Sequence, residues 1–369
     1  MESQKVRVLV LSNRATCLYN MRLETIVAFL DLEYEVMISS PYGSRIEDLK
    51  ALGCSYMETA FNNRGTSIKD DLKLIGHYRK VMRVVKPDVV LTFMIKPNIY
   101  GGMAANKEKI PFIANITGLG TALQNEGLMQ KVIVSLYRRA FKKVSFVFFQ
   151  NEGNLSFFKR KRIAYQRGKL IPGSGVNLTK FSPLPFPDAE EVSFVFIARV
   201  MKAKGIDHYL EAAKVIKSKH PKTTFYVCGS CEESYEEILN EYQKAGIVTY
   251  LGLVDDVREV FKLTHCTILP SYHEGLSNVL LESAASSCPN ITTNINGCKE
   301  VVEDGMTGIL VEPKSTESLI QGIERFLNLN IEERKRMGEM GRLKVEKEFD
   351  RQLVVDAYLE VVDALIQEG

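Results

Sequence analysis

Two glutamates eight residues apart, Glu274 and Glu282, frame the segment Pro270-Ser271-Tyr272-His273-Glu274-Gly275-Leu276-Ser277-Asn278-Val279-Leu280-Leu281-Glu282. An apolar strand signal, Cys266-Thr267-Ile268-Leu269, leads into it. Gly275, Ser277 and Asn278 then give a helix-start signal ahead of an apolar run. The pattern predicts strand, tight loop and helix, with one carboxylate in the loop and the other about two turns into the helix. Loop amides and the positive helix end can receive a phosphate or a sugar oxygen. A carboxylate beside an anion site is unsuited to the phosphate and suited to hydroxyl groups, from which it accepts hydrogen bonds. Phosphate plus hydroxyls describes a nucleotide-sugar. For a bare pair at this spacing, two solvent-facing glutamates is the default reading. The strand, the Gly275-Leu276-Ser277-Asn278 turn and the Pro-bearing loop at Cys288-Pro289 weigh against it.

An earlier loop carries cations suited to a diphosphate. The strand Ser193–Ala198 runs into Arg199-Val200-Met201-Lys202-Ala203-Lys204-Gly205. In a parallel sheet this loop lies at the carboxyl edge, where ligands bind. Arg199 can clamp two oxygens and Lys204 can act as a point charge. The competing reading is a solvated basic loop, to which Lys202 is assigned. Gly229 closes the next strand and permits close backbone approach. Asp255-Asp256 reads as a helix cap, and a lone histidine such as His273 is by default structural. Cys228 and Cys231 have C-x-x-C spacing, but no second pair completes a zinc site. No D-x-D arrangement stands in a metal-binding context, so metal-independent chemistry without a cofactor is expected.

Glu274-x7-Glu282 in this setting resembles the signature of retaining glycosyltransferases with the GT-B fold, in particular family 4. The resemblance is specific from Val195 to Pro313 and weaker before Phe181. It implies an α/β chain of two Rossmann-like domains with parallel sheets facing a central cleft. It implies that Glu274 contacts the donor hexose and Glu282 the ribose. Gly275, Leu276, Ser277 and Asn278 would belong to the donor site, and Arg199 and Lys204 would hold the pyrophosphate as it leaves. The backbone at Val254, in Leu251-Gly252-Leu253-Val254, would read the pyrimidine.

In the first half, Ser12 to Arg22 is predicted as a polar strand-to-helix loop without the glycines that many relatives carry there. With Lys96-Pro97-Asn98-Ile99-Tyr100-Gly101-Gly102 and Ile116-Thr117-Gly118-Leu119-Gly120, it resembles a branch that builds lipid-linked oligosaccharides. Asn13, Tyr19, Arg22, Arg64, Lys96, Thr117 and Gly118 are the resulting acceptor-site candidates. For Arg64 and Lys96 the competing reading is ordinary surface cations. Asn115-Ile116-Thr117-Gly118 lacks the histidine that many family members carry there, which argues against a histidine-assisted mechanism.

These motifs need a frame of two domains. A chain of 369 residues exceeds one ordinary core and suits two domains of ~180 residues each. Short apolar strands alternate with helices from Val6 onward, and the pattern restarts at Ser193. Between them Phe181-Ser182-Pro183-Leu184-Pro185-Phe186-Pro187 reads as a linker, because proline breaks helix and strand alike. The expected division is 1–184, 188–350 and a final helix, 351–369, crossing back to the first domain.

The composition, 45% apolar and 25% charged with a net charge of +3, is that of a globular protein and names no partner. Its distribution does. From Lys131 to Lys169 there are eleven basic residues and one acid. Leu128 to Lys143 reads as a basic amphipathic helix with Arg138, Arg139, Lys142 and Lys143 at its end. A solvated face, a nucleic-acid patch and a surface for anionic lipid headgroups compete. No nucleic-acid module appears elsewhere, and a lipid-linked acceptor favours the membrane surface.

The expected enzyme is therefore a bacterial UDP-sugar-dependent glycosyltransferase. It would transfer an N-acetylhexosamine to an undecaprenyl-diphosphate-linked saccharide. No leader or membrane-spanning run is read from the sequence, so a cytoplasmic location, peripheral on the inner face of the cytoplasmic membrane, is expected. An enzyme like UDP-N-acetylglucosamine 2-epimerase and a non-catalytic nucleotide-sugar-binding subunit are the alternatives.

Overall fold

The computed structural model describes residues 5–59, 67–119, 123, 127–232 and 235–367. The chain forms two compact units, Met1–Ser174 with Arg351–Gly369, and Gly175–Asp350.

The first unit is built on a seven-stranded parallel sheet of order β3-β2-β1-β4-β5-β6-β7. Its strands are β1 (Arg7–Leu11), β2 (Glu35–Ser40), β3 (Ser55–Glu58), β4 (Val89–Phe93), β5 (Phe112–Ile116), β6 (Phe146–Phe149) and β7 (Gly168–Leu170). Alternate side chains serve two cores. Leu9 and Leu11 pack with Phe112 and Tyr137 on one face. Val8 and Val10 pack with Phe29 and Tyr358 on the other. Helices on both faces explain why the strands are near-continuous apolar runs.

The second unit holds a six-stranded parallel sheet of order β10-β9-β8-β11-β12-β13. Its strands are β8 (Val192–Ile197), β9 (Thr223–Cys228), β10 (Thr249–Gly252), β11 (Cys266–Leu269), β12 (Asn290–Thr293) and β13 (Gly308–Val311). In both sheets the order reverses beside the first strand of the unit, which opens a crevice at the carboxyl edge.

Four differences from the sequence reading have physical causes. The proline-rich segment is not a free linker, since Phe181 is buried in the second core. Leu184 N donates to Ser286 O at 3.1 Å and Arg342 Nη1 to Phe181 O at 2.6 Å. Proline excludes ladder and helix hydrogen bonding but not packing, so the chain divides at Ser174/Gly175 instead of near residue 184.

The first helix runs Ala15–Asp31, so Tyr19 and Arg22 are helical and lie outside the preceding loop. β3, β7, β12 and β13 carry weak sequence signals. β7 has three residues, and three of the four residues of Asn290-Ile291-Thr292-Thr293 are polar. The basic helix ends at Ala140 and tightens into a 3₁₀ turn, Phe141–Lys143.

The last helix, Arg351–Gln367, belongs to the first unit. Arg351 Nη1 bonds both Glu24 oxygens, at 2.8 and 2.7 Å, and Tyr34 Oη donates to Asp363 Oδ1 at 2.8 Å.

Candidate active site

In the second unit the loops after β8, β9, β10, β11 and β12 share the carboxyl edge of one parallel sheet. β8 delivers Arg199, and a 3₁₀ turn, Lys202–Lys204, then delivers Lys204. β11 delivers Glu274, and the helix Asn278–Ala285 carries Glu282 one turn in. The loops are laced together by backbone: Tyr272 N donates to Ala203 O at 3.0 Å, and Ser277 N to Gly297 O at 2.8 Å.

Lys204 Nζ donates to Glu274 Oε1 at 2.6 Å, with both side chains largely withdrawn from water. The cation read as a diphosphate ligand and the carboxylate read as a sugar ligand are thus direct neighbours. Arg199 pairs elsewhere: its Nη1 donates to Glu232 Oε1 at 3.0 Å. Ser277 stands at the N-cap of the Glu282 helix, but its hydroxyl does not cap the first turn. Asn278 Oδ1 is buried and accepts no hydrogen bond among the described residues. Glu282 and Gly275 are half-buried beside this helix start.

Two glycines set how closely the loops approach. A Cβ on Gly229, at φ +137°, would lie 1.9 Å from Ala198 O. A Cβ on Gly297, at φ +89°, would lie 2.8 Å from Glu274 Cβ. Gly297 holds the Glu274 loop against the β12 loop and was missed in the sequence reading. Its signal was the turn-forming dipeptide Asn296-Gly297. Glu232 was also missed, and no sequence pattern marks it. Val254, after β10, is half-buried against the second core. Asp256 caps the helix Val257–Phe261 by accepting from Arg258 N at 3.0 Å. The Arg258 guanidinium holds the Asp256 carboxyl down at about 2.

His273 is exposed, and partial burial beside Lys314 lowers its pKa. Cys228 and Cys231 are free thiols, and burial raises the Cys228 pKa. Among the described residues, no three His, Cys, Asp or Glu side chains cluster as a metal site.

In the first unit the acceptor-site candidates divide. Asn13 is half-buried in the turn after β1, and Thr117 and Gly118 are half-buried after β5. Tyr19 lies on the first helix with the Arg45 guanidinium 4.9 Å from its ring. Arg22 is only 3% exposed, which corrects its reading as a loop cation. It sits between the rings of Phe93 and Tyr358, at 5.4 and 5.6 Å, and burial lowers its pKa. With its amide turned to satisfy both partners, Gln150 accepts from Arg22 Nη2 at 2.7 Å and donates to Thr117 O at 3.2 Å. Arg22 therefore acts through Gln150 on the backbone of the Thr117 loop.

Lys96 Nζ bonds Asp71 Oδ1 at 3.2 Å, and Tyr100 Oη donates to the other oxygen at 2.6 Å. Lys96 is thus held in place by a carboxylate, which the sequence reading did not foresee. Arg64 lies outside the described residues.

The fold is two parallel α/β units, the second with cations and carboxylates at its ligand-binding edge. Comparison with known proteins gives this arrangement its class. The family model "Glycosyl transferases group 1" matches residues 180–344. "Glycosyl transferase 4-like" matches residues 7–151. One relative is the N,N'-diacetylbacillosaminyl-diphospho-undecaprenol alpha-1,3-N-acetylgalactosaminyltransferase of Campylobacter jejuni, 26% identical, with 98% of this chain and 100% of that protein aligned. Another is the UDP-Gal:alpha-D-GlcNAc-diphosphoundecaprenol alpha-1,3-galactosyltransferase of Escherichia coli, 26% identical over 81% of this chain and 82% of that protein. In structure the chain is similar to Anabaena HepE crystallised with UDP and glucose, with a TM-score of 0.80 at 15% identity, covering 97% of this chain and all (100%) of that one. Both units thus carry glycosyltransferase domains, family 4-like in the first and group 1 in the second, and the fold is GT-B.

Proposed function

We propose that this glycosyltransferase moves a sugar, an N-acetylhexosamine, from a UDP-sugar to an undecaprenyl-diphosphate-linked saccharide with retention of anomeric configuration. The observation that carries the reading is the Lys204–Glu274 contact at 2.6 Å, which sets a diphosphate cation beside a hydroxyl acceptor. The two relatives' names, each describing transfer to a diphospho-undecaprenol saccharide, support the acceptor class.

In the mechanism, Arg199, Lys204 and the start of the helix Asn278–Ala285 stabilise the departing UDP. The bond between the anomeric carbon and the diphosphate oxygen breaks as the acceptor oxygen bonds to that carbon from the same face. The acceptor hydroxyl's proton passes to the departing diphosphate. Glu274 orients the hexose and Glu282 the ribose. Catalysis is then chiefly electrostatic stabilisation and positioning, with no protein nucleophile and no metal.

The protein's partner surface is an anionic membrane. No helix among the described residues is long and apolar enough to cross one. The helix Leu128–Ala140 instead exposes Leu128 (79%), Met129 (52%) and Val132 (47%). Exposed Arg138, Arg139, Lys142 and Lys143 follow, with Arg138 also bonding Lys161 O at 2.8 Å. Apolar side chains beside cations suit an anionic headgroup layer, which would put the enzyme on the inner face of the cytoplasmic membrane.

The test is release of UDP from a panel of UDP-sugars, with and without a lipid-diphosphate sugar acceptor. Release that requires the acceptor supports the reading. Acceptor-free conversion of the sugar would point to an epimerase, and no response to any nucleotide would overturn the donor site.

A further inference from the structure

We propose that Glu232 is an internal competitor for Arg199, which holds the guanidinium between turnovers and speeds release of the nucleoside diphosphate. The inference rests on the reading of Arg199 as a diphosphate cation.

The pair is built into the backbone. Arg199 Nη1 donates to Glu232 Oε1 at 3.0 Å. Beside it, Val200 N donates to Ser230 O, and Glu232 N to Val200 O, each at 2.9 Å. Val200 and Cys231 thus form a short parallel bridge beyond the ends of β8 and β9. Gly229 lets the two loops close to this distance, because any side chain there would meet Ala198 O. Glu232 is therefore held next to Arg199 whether or not their side chains are bonded.

Exposure separates this pair from the other one. The Arg199 and Glu232 side chains are 46% and 29% exposed, against 19% and 11% for Lys204 and Glu274. A half-hydrated ion pair is weak and exchangeable. A diphosphate carries more charge than one carboxylate and offers Arg two parallel acceptors, so it displaces Glu232. The displaced carboxylate stays tethered beside the bound anion and repels it. When the sugar has left and UDP remains, that repulsion and the recapture of Arg199 favour departure. Nothing in this scheme requires Glu232 to touch the sugar or the acceptor.

The experiment measures UDP affinity by calorimetry and UDP release by stopped-flow for wild type, Glu232→Gln, Arg199→Ala and the double variant. Uridine binding, followed by saturation-transfer NMR, is the phosphate-free control. Glutamine keeps the shape and one acceptor oxygen, exchanges the other oxygen for an amide donor and removes the charge. The expected result is UDP binding tighter by about threefold to fivefold in Glu232→Gln, with correspondingly slower release. Uridine binding should not change, and the gain should vanish in the Arg199→Ala background. Unchanged or weaker UDP binding in Glu232→Gln, with Arg199→Ala still impaired, overturns this inference alone. Full UDP affinity in Arg199→Ala, or no UDP binding by the wild type, overturns it together with the reading of Arg199.

Discussion

Lys204 Nζ lies 2.6 Å from Glu274 Oε1, which ties the cation after the first strand of the second unit to the carboxylate after its fourth. A cation at this point stabilises a leaving diphosphate only if it is fixed before the bond breaks. Glu274 provides that fixing, and Gly297 fixes Glu274. Lys204→Ala should lower single-turnover transfer by ~100-fold or more at saturating donor. A near-normal rate would remove Lys204 from the chemistry.

Glu282 is argued to act on binding instead of on the bond-breaking step. Glu282→Ala should weaken UDP by roughly tenfold, the loss of about one charge-assisted hydrogen bond. Calorimetry with UDP alone reads this directly. Unchanged affinity would sink the ribose assignment.

The frame of the candidate site was legible because its parts are local. Strand, turn and helix lie within Cys266 to Glu282, and the spacing of two glutamates survives any detail of packing. The parallel sheets were legible for the same reason, since buried strands such as Phe146-Val147-Phe148-Phe149 announce themselves. Contacts between distant segments were not. Glu232 meets Arg199 across 33 positions, and Lys96 meets Asp71 across 25. Neither pairing has a periodic signature. Arg22 misled for a related reason: a cation in a polar stretch reads as exposed until Phe93 and Tyr358 are known to enclose it.

The basic helix gives a surface prediction. Replacing Arg138, Arg139, Lys142 and Lys143 by Ser removes four cations, each worth about 1 kcal/mol near an anionic bilayer. Co-sedimentation with phosphatidylglycerol vesicles should fall by more than tenfold, and raised salt should mimic the substitution. Equal partition of variant and wild type would refute the membrane surface.

The last helix is pinned to the first sheet by a buried polar chain. Tyr358 Oη donates to Asn115 Oδ1. Asn115 Nδ2 donates to Thr92 O at 3.1 Å, and Asn98 Nδ2 to Asn115 O at 2.8 Å. Tyr358→Phe keeps the ring and strands a buried acceptor. It should lower stability by about 1–3 kcal/mol in urea unfolding. A neutral effect would mean that the hydroxyl adds nothing to the docking of this helix.

His265 gives the stability of the second unit a pH dependence. It is 2% exposed, and its Nδ1 accepts from Ser193 N at 3.1 Å. Burial, with Arg334 nearby, pushes its pKa down to about 4 from the ordinary 6.5. Between these values the unfolded chain takes up a proton that the folded chain refuses. The contribution of neutral His265 is therefore complete above pH 6.5 and is lost as pH falls toward 4. The loss is on the order of 2–3 kcal/mol. His265→Asn keeps an acceptor for Ser193 N and cannot titrate. It should be less stable than the wild type at pH 7.5 and close the gap by that amount at pH 4.5, measured by urea unfolding at each pH. A gap that stays constant with pH would show that His265 is not held neutral in the folded protein.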